Sequence, residues 1–219
     1  MNAYAARAAA VWIRLIAGST ARKTRLHDQL GARVPLSRLL RNGPRALLTG
    51  LSRLLLGYRP ARPWISYDVQ PLFAQHLNPG SRVLEFGSGM STIWFAHRAG
   101  RVISLEHDPE WFALIERRLR AFGNVDYFYA EDPRTYFAGI PGEQFDLILI
   151  DGPWRTDLAL AAIFHLAPGG IIYLDNCDKF PDARQVLQDF ARKASLPMRE
   201  FTDFAPTQLF VQRGLMVGG

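Results

Sequence analysis

VLEFGSGMST, Val83 to Thr92, sets an apolar run, an acid and a Gly-x-Gly turn ahead of a helical pattern. Val83, Leu84 and Phe86 have the composition of a short buried strand, and Ser91 opens the next helix. The chain must reverse between them. Gly87 and Gly89 are expected to supply positive φ and to let a ligand approach bare backbone, while the helix start aims unpaired N–H groups at the same notch. A dinucleotide turn, Gly-x-Gly-x-x-Gly, needs a third glycine where Thr92 stands. Glu85, just before the first glycine, would repel a pyrophosphate and attract a cationic amine. An ordinary strand-to-helix loop is the plain alternative.

The segment RVISLEHDPEW, Arg101 to Trp111, is a second apolar strand ending in an acid, Glu106, at the distance from the glycines where α/β nucleotide sites place a ribose-binding carboxylate. Ribose hydroxyls are donors, and a carboxylate offers paired acceptors; a solvated strand end is the alternative. Asp108 and Pro109 read as the cap and first position of the following helix. A helix over Ser66–His76, capped by Ser66, precedes the first strand. Further strands are expected at Val125–Tyr129, Phe145–Ile150 and Gly170–Leu174, each followed by a helical pattern, which makes a doubly wound, mostly parallel sheet. Met198–Phe204 and Thr207–Gln212, joined by Ala205 and Pro206 alone, must pair antiparallel. Seven strands result, one of them reversed.

Four blocks, VLEFGSGMST, VISLEHD, FDLILIDGP and LAPGGIIYLDN, resemble the class I S-adenosylmethionine-dependent methyltransferases in order and spacing across Trp64 to Arg213. The resemblance implies a Rossmann-like methyltransferase fold and S-adenosylmethionine as cofactor. Glu85, Gly87, Gly89 and Ser91 would line its methionine and ribose end, Glu106 would hold the ribose hydroxyls, and Asp132 would touch adenine unless it caps the helix before Pro133. Asp151, Asp175 and Asn176 are similar to the metal triad of the catechol and caffeoyl-CoA O-methyltransferases, which implies magnesium or calcium. Without metal, Asp151 caps the loop GPWRT, and Asp175 with Asn176 leads the next helix. The lysine those families carry after the first aspartate is absent, since Trp154 and Arg155 stand there. Arginine cannot act as a base at ordinary pH, so Asp151 is the expected base and Arg155 the anchor for an anionic acceptor group. Trp94 and Trp154 either wall the pocket or pack in the core. Trp64 and Tyr67 form a staple around Ser66 or part of a lid. The reading is O-methylation of a small-molecule or glycan-type acceptor. N-methylation, and a non-catalytic membrane- or partner-binding protein with a nucleoside pocket, are the rivals.

The 219 residues suffice for one buried core plus an appendage, and Cys177, the only cysteine, excludes a disulfide within the chain. A cytoplasmic protein is expected. Charge divides the chain at residue 63: residues 1–63 hold 12 Lys+Arg and one acid, Asp28, against a net charge of −5 over 64–219. The two parts are a basic amphipathic helical region and a methyltransferase domain. Ala3–Ala17 and Pro44–Leu56 read as helices, the second with Leu47, Leu48, Leu51, Leu54 and Leu55 on one face. That stripe is expected to pack on the catalytic domain or on a second copy; an anionic membrane surface is the alternative, with peripheral attachment as its consequence. Nucleic acid is not expected, because Tyr4, Trp12 and Tyr58 are scattered rather than set as a stacking platform. Arginine richness with few acids also fits a cleaved targeting segment.

Overall fold

The computed structural model describes residues 21–138, 140 and 142–219; the expected helix Ala3–Ala17 lies outside them. Seven strands, β1 (Arg82–Phe86), β2 (Arg101–Glu106), β3 (Val125–Tyr129), β4 (Phe145–Ile150), β5 (Leu166–Leu174), β6 (Met198–Phe204) and β7 (Val211–Gly218), form one sheet in the order β3-β2-β1-β4-β5-β7-β6. The first five are parallel, and β7 runs against both β5 and β6. The doubly wound sheet is as the alternating pattern led one to expect, and its order is that of the Rossmann-like methyltransferase fold that the resemblance implied.

Period-two alternation assigns each strand residue to a layer. Val83, Leu147, Leu149 and Tyr173 face one layer with Phe73 of α2 (Gln70–His76) and Trp94 and Phe95 of α3 (Met90–Ala96). Leu84, Phe86, Ile148 and Ile150 face the other, with Leu158 of α6 (Arg155–His165) and Leu187 of α7 (Pro181–Lys193). Two further helices, α4 (Pro109–Leu119) and α5 (Pro133–Ala138), follow β2 and β3. Asp108 caps α4 by accepting from the Trp111 N–H at 2.8 Å, with Pro109 at the first position.

Several boundaries differ from expectation, among them β5, which begins at Leu166 and not at Gly170. β7 begins at Val211, so the β6–β7 link spans 205–210, with Thr207 in a left-handed conformation. α2 starts at Gln70, because the Ser66 hydroxyl donates to Asp203 at 2.8 Å and does not cap. The appended helix α1 (Leu36–Leu56) begins well before Pro44 and runs through it, ending at Gly57, whose φ is 64°.

The face that α1 buries is also not the leucine stripe. Asn42, Ala46 and Gly50 pack inward, while Leu47, Leu48, Leu51, Leu54 and Leu55 are exposed. A polar anchor sets this rotation. Asn42 Nδ2 donates to Asp203 at 2.9 and 3.1 Å and to Asp68 at 3.0 Å, and Arg38 reaches Asp68 at 2.8 Å. A buried carboxylate without these donors would cost several kcal/mol, on the order of 3–5 for a broken buried pair. Arg213 ties the preceding loop to β7 through Asp28 at 2.7 Å.

Candidate functional site

β1 ends in Glu85 and Phe86, and the turn after it abuts the end of β4. Gly87 has φ 92°, and a Cβ there would lie 2.7 Å from the Gly152 nitrogen, so only glycine fits. Gly89 differs from expectation. Its φ of 173° is extended backbone, and a Cβ would meet nothing closer than 3.8 Å. Its bareness therefore serves space beside the turn and not conformation.

Glu85 is wholly buried. Thr92 and Ser104 donate hydroxyl hydrogens to its Oε2 at 2.5 and 2.7 Å, while Oε1 has no partner among the described residues. Burial pushes this carboxyl up to about 7, opposed by the hydroxyls of Ser91, Thr92 and Ser104. Ser91 lies in the first turn of α3. Thr92, which breaks the dinucleotide pattern, also accepts from the Gly89 N–H at 3.0 Å. Its place three residues into the helix was the available sign of a role in holding Glu85.

Glu106, at the end of β2, is 3% exposed. Oε1 accepts from the backbone N–H groups of His107 and Asp108 at 2.8 and 2.9 Å, and Oε2 from the N–H and hydroxyl of Ser88 at 3.0 and 2.8 Å. The Ser88 hydroxyl also contacts the Tyr127 hydroxyl at 2.7 Å, so it can exchange one partner for the other. Asp132, just before α5, is exposed and accepts from the Thr135 N–H at 2.9 Å, the geometry of a helix cap.

The carboxyl ends of β4 and β5 hold Asp151 and Asp175. Asp151 keeps 38% of its side chain open to solvent on one side and meets Arg155 at 2.7 Å on the other. Its enclosure by the cleft walls raises the carboxyl, against the pull of Arg155 and Lys179. Arg155 is not a free anchor. Its guanidinium donates to the carbonyls of Gly152, Asp175 and Asp151 and to the Asp151 carboxylate, with Phe180 stacked at 4.5 Å. It therefore positions the two strand ends. Trp154 and Asn176, just past these ends, have φ of 53° and 50°, strain of the kind that collects at functional edges. Trp154 packs edge-on to Tyr136 at 5.5 Å and forms a wall, whereas Trp94 is buried against Phe95 in the core. Trp64 and Tyr67 both flank helices, Tyr67 meeting Thr49 of α1 at 3.1 Å.

The expected metal set does not fit a cation. Asp175 accepts from the amides of Gln212, at 3.0 Å, and Asn176, and burial together with the Asp151 charge pushes its carboxyl well above the usual range. The Asn176 Oδ1 accepts from Lys179 Nζ at 2.5 Å. Two fixed cations, Arg155 and Lys179, thus engage the oxygens that a divalent ion would need. Among the described residues no group of three His, Cys, Asp or Glu side chains is arranged to hold a metal. Lys179 was missed from sequence; its place on the turn after Asp175 and Asn176 was the only sign. Burial lowers its ammonium, with Arg22 adding to the effect.

Residues 84–177 match a family model described as a methyltransferase domain. No curated protein matches the chain significantly. Among solved structures, the cofactor-bound Rv0187 protein from MTB is 23% identical over 80% of this chain and 96% of that one, with a TM-score of 0.58. An O-methyltransferase from Bacillus cereus in complex with SAH is 19% identical over 84% and 92%, TM-score 0.57. A methyltransferase from Pyrococcus furiosus is 20% identical over 81% and 98%, TM-score 0.52. These likenesses establish the shared fold, and the domain match adds the chemistry. Residues 84–177 form a methyltransferase domain, and the protein is an S-adenosylmethionine-dependent methyltransferase.

Proposed function

We propose that Glu85, Gly87, Gly89, Ser91 and Glu106 hold the methyl donor, and that Asp151 takes the proton of an acceptor hydroxyl on a small-molecule or glycan-type substrate. One observation carries this reading: a carboxylate with a raised pKa, open to solvent on one side, sits at the strand end that abuts the Gly87 turn. The donor supplies a methyl group on a sulfonium sulfur, which needs an aligned nucleophile more than activation. The unpartnered Oε1 of Glu85 suits the donor's ammonium, and the space beside Gly89 suits its close approach. Rotation of the Ser88 hydroxyl toward Tyr127 frees Glu106 Oε2 for a ribose hydroxyl. Asp151, oriented by Arg155, accepts the hydroxyl proton as the oxygen attacks. Lys179, held part-buried beside this base by Asn176, offers its remaining donors to an anionic acceptor group.

Two glycine variants separate fold from ligand. Gly87→Ala is expected to lower stability by roughly 2 kcal/mol in a denaturant titration, since the new methyl meets Gly152 backbone at a strained φ. Gly89→Ala is expected to melt within about 0.5 kcal/mol of the parent, yet to weaken S-adenosylhomocysteine binding by about tenfold in calorimetry, as a methyl group intrudes on the ligand. Equal donor affinity for parent and Gly89→Ala contradicts the placement of the donor. Dialysis against a chelator is expected to change turnover by less than about twofold, because Arg155 and Lys179 hold the Asp151 and Asn176 oxygens that would bind a Lewis-acidic ion. With a methyl-labelled donor, NMR of the product should show the label on oxygen; label on nitrogen overturns the O-methylation reading.

A further inference from the structure

We propose that α1 is a docking surface for an anionic phospholipid bilayer, its leucine face entering the lipid and the arginine-lined cavity at its flank receiving a lipid phosphate. Leu40, Leu48, Leu54 and Leu55 are 69, 68, 72 and 77% exposed, and with Leu47 and Leu51 they cover about a third of the helix circumference at 100° per residue. Contiguous apolar surface of this kind marks an interaction site. The helix cannot turn it inward, because the Asn42 anchor fixes the opposite face and a Cβ on Gly50 would already lie 2.6 Å from Leu209.

Charge selects the occupant. At the edge of the leucine face nearer the body lie Arg41, paired with Asp68 at 2.7 Å, and Arg45, which lines a cavity of about 760 Å³ with Arg62, Arg98, His97, Tyr67 and Trp94. No carboxylate lines that cavity, and among the described residues none of its three arginines is ion-paired. Arg98 stacks on Trp94 at 4.0 Å, and the neighbouring Arg62 adds to the burial that lowers its pKa, as expected of cations held together without a counter-ion. A second copy would bring the same positive patch against this one, and residues 1–20 add Arg7 and Arg14 with no acid. An anionic bilayer matches both the apolar stripe and its basic flank. The helix lies along such a surface, since no helix among the described residues is long and apolar enough to cross a membrane.

Flotation of the full chain with phosphatidylglycerol-containing and pure phosphatidylcholine vesicles tests this. At low salt, partitioning onto the anionic vesicles is expected to exceed that onto the neutral ones by about tenfold, and to fall by about tenfold in Leu51→Ser/Leu54→Ser/Leu55→Ser. Arg45→Glu/Arg62→Glu should lose the preference for anionic lipid. Both variants should keep the parent's melting temperature, as the changed side chains are exposed. A polarity-sensitive fluorophore on L51C should shift to the blue only when anionic vesicles are added. Equal partitioning onto both lipids, or a leucine variant that floats like the parent, overturns the proposal. So does a fluorophore already shielded without lipid, which means residues 1–20 or a second copy cover the face. Complete competition by inorganic phosphate, with no effect of the leucine changes, would assign the cavity to a free anion and overturn it too.

Discussion

Asp151→Asn is expected to lower kcat by about a thousandfold, the range over which a positioned general base acts, while S-adenosylhomocysteine affinity stays within about threefold of the parent. Asparagine is isosteric, and its Oδ1 can still accept from Arg155, which holds the parent carboxylate at 2.7 Å. The loop therefore keeps its shape and loses only the ability to take a proton. Partial enclosure by the cleft walls raises the Asp151 carboxyl while Arg155 pulls it down, so kcat in the parent should rise with pH as this group ionises, and the Asn variant should lack that limb. Arg155→Lys supplies the contrast. A lysine cannot reach the Gly152, Asp175 and Asp151 carbonyls together as the guanidinium does, so stability and kcat should fall together. An Asp151→Asn enzyme with parental turnover would remove Asp151 from proton transfer and favour a nitrogen acceptor.

The sheet was legible because its physics is local. Phe145–Ile150 and Val125–Tyr129 are compact apolar runs between polar segments, and both strands match the expected bounds. What failed was decided by partners distant in sequence. The leucine stripe of α1 has the pattern of a buried face, yet the helix is rotated by Asn42 meeting Asp203, 161 residues away. Arg155 looks like an anchor from sequence, but carbonyls at the ends of two strands consume its donors. Asp175 and Asn176 have the identities of metal ligands, and only the fold shows Gln212 and Lys179 engaging their oxygens. Gly89 shares the glycine pair's signature with Gly87, although the two serve different needs. Residue type and spacing thus predict which groups reach the strand ends, while their partners decide what each can do there.

Glu85 carries the second large expected effect, and it links pH to both stability and donor binding. In the unfolded chain this carboxyl titrates at its ordinary value of 4.5, and burial in β1 moves it to about 7. Between those values the folded protein holds a proton that the unfolded chain has released, so stability falls as pH rises through this window and levels off above it. The shift corresponds to roughly 3 kcal/mol lost between pH 4.5 and 7. Glu85→Gln cannot ionise and still accepts from Thr92 and Ser104 through its amide oxygen, so its stability should be flat in that window and should exceed the parent's at pH 8. Donor binding reverses the sign. An ammonium placed on the unpartnered Oε1 favours the carboxylate, so binding near pH 6 should release close to one proton, seen as a dependence of the calorimetric heat on the buffer's ionisation enthalpy. Parent affinity should then tighten as pH rises toward 7, whereas the Gln variant should bind at least about tenfold more weakly at pH 8 and show no proton release. If parent and variant lose stability in parallel between pH 4.5 and 7, another group carries the titration. If the heat is independent of buffer, the donor's ammonium does not meet Glu85, and the notch binds its ligand by another contact.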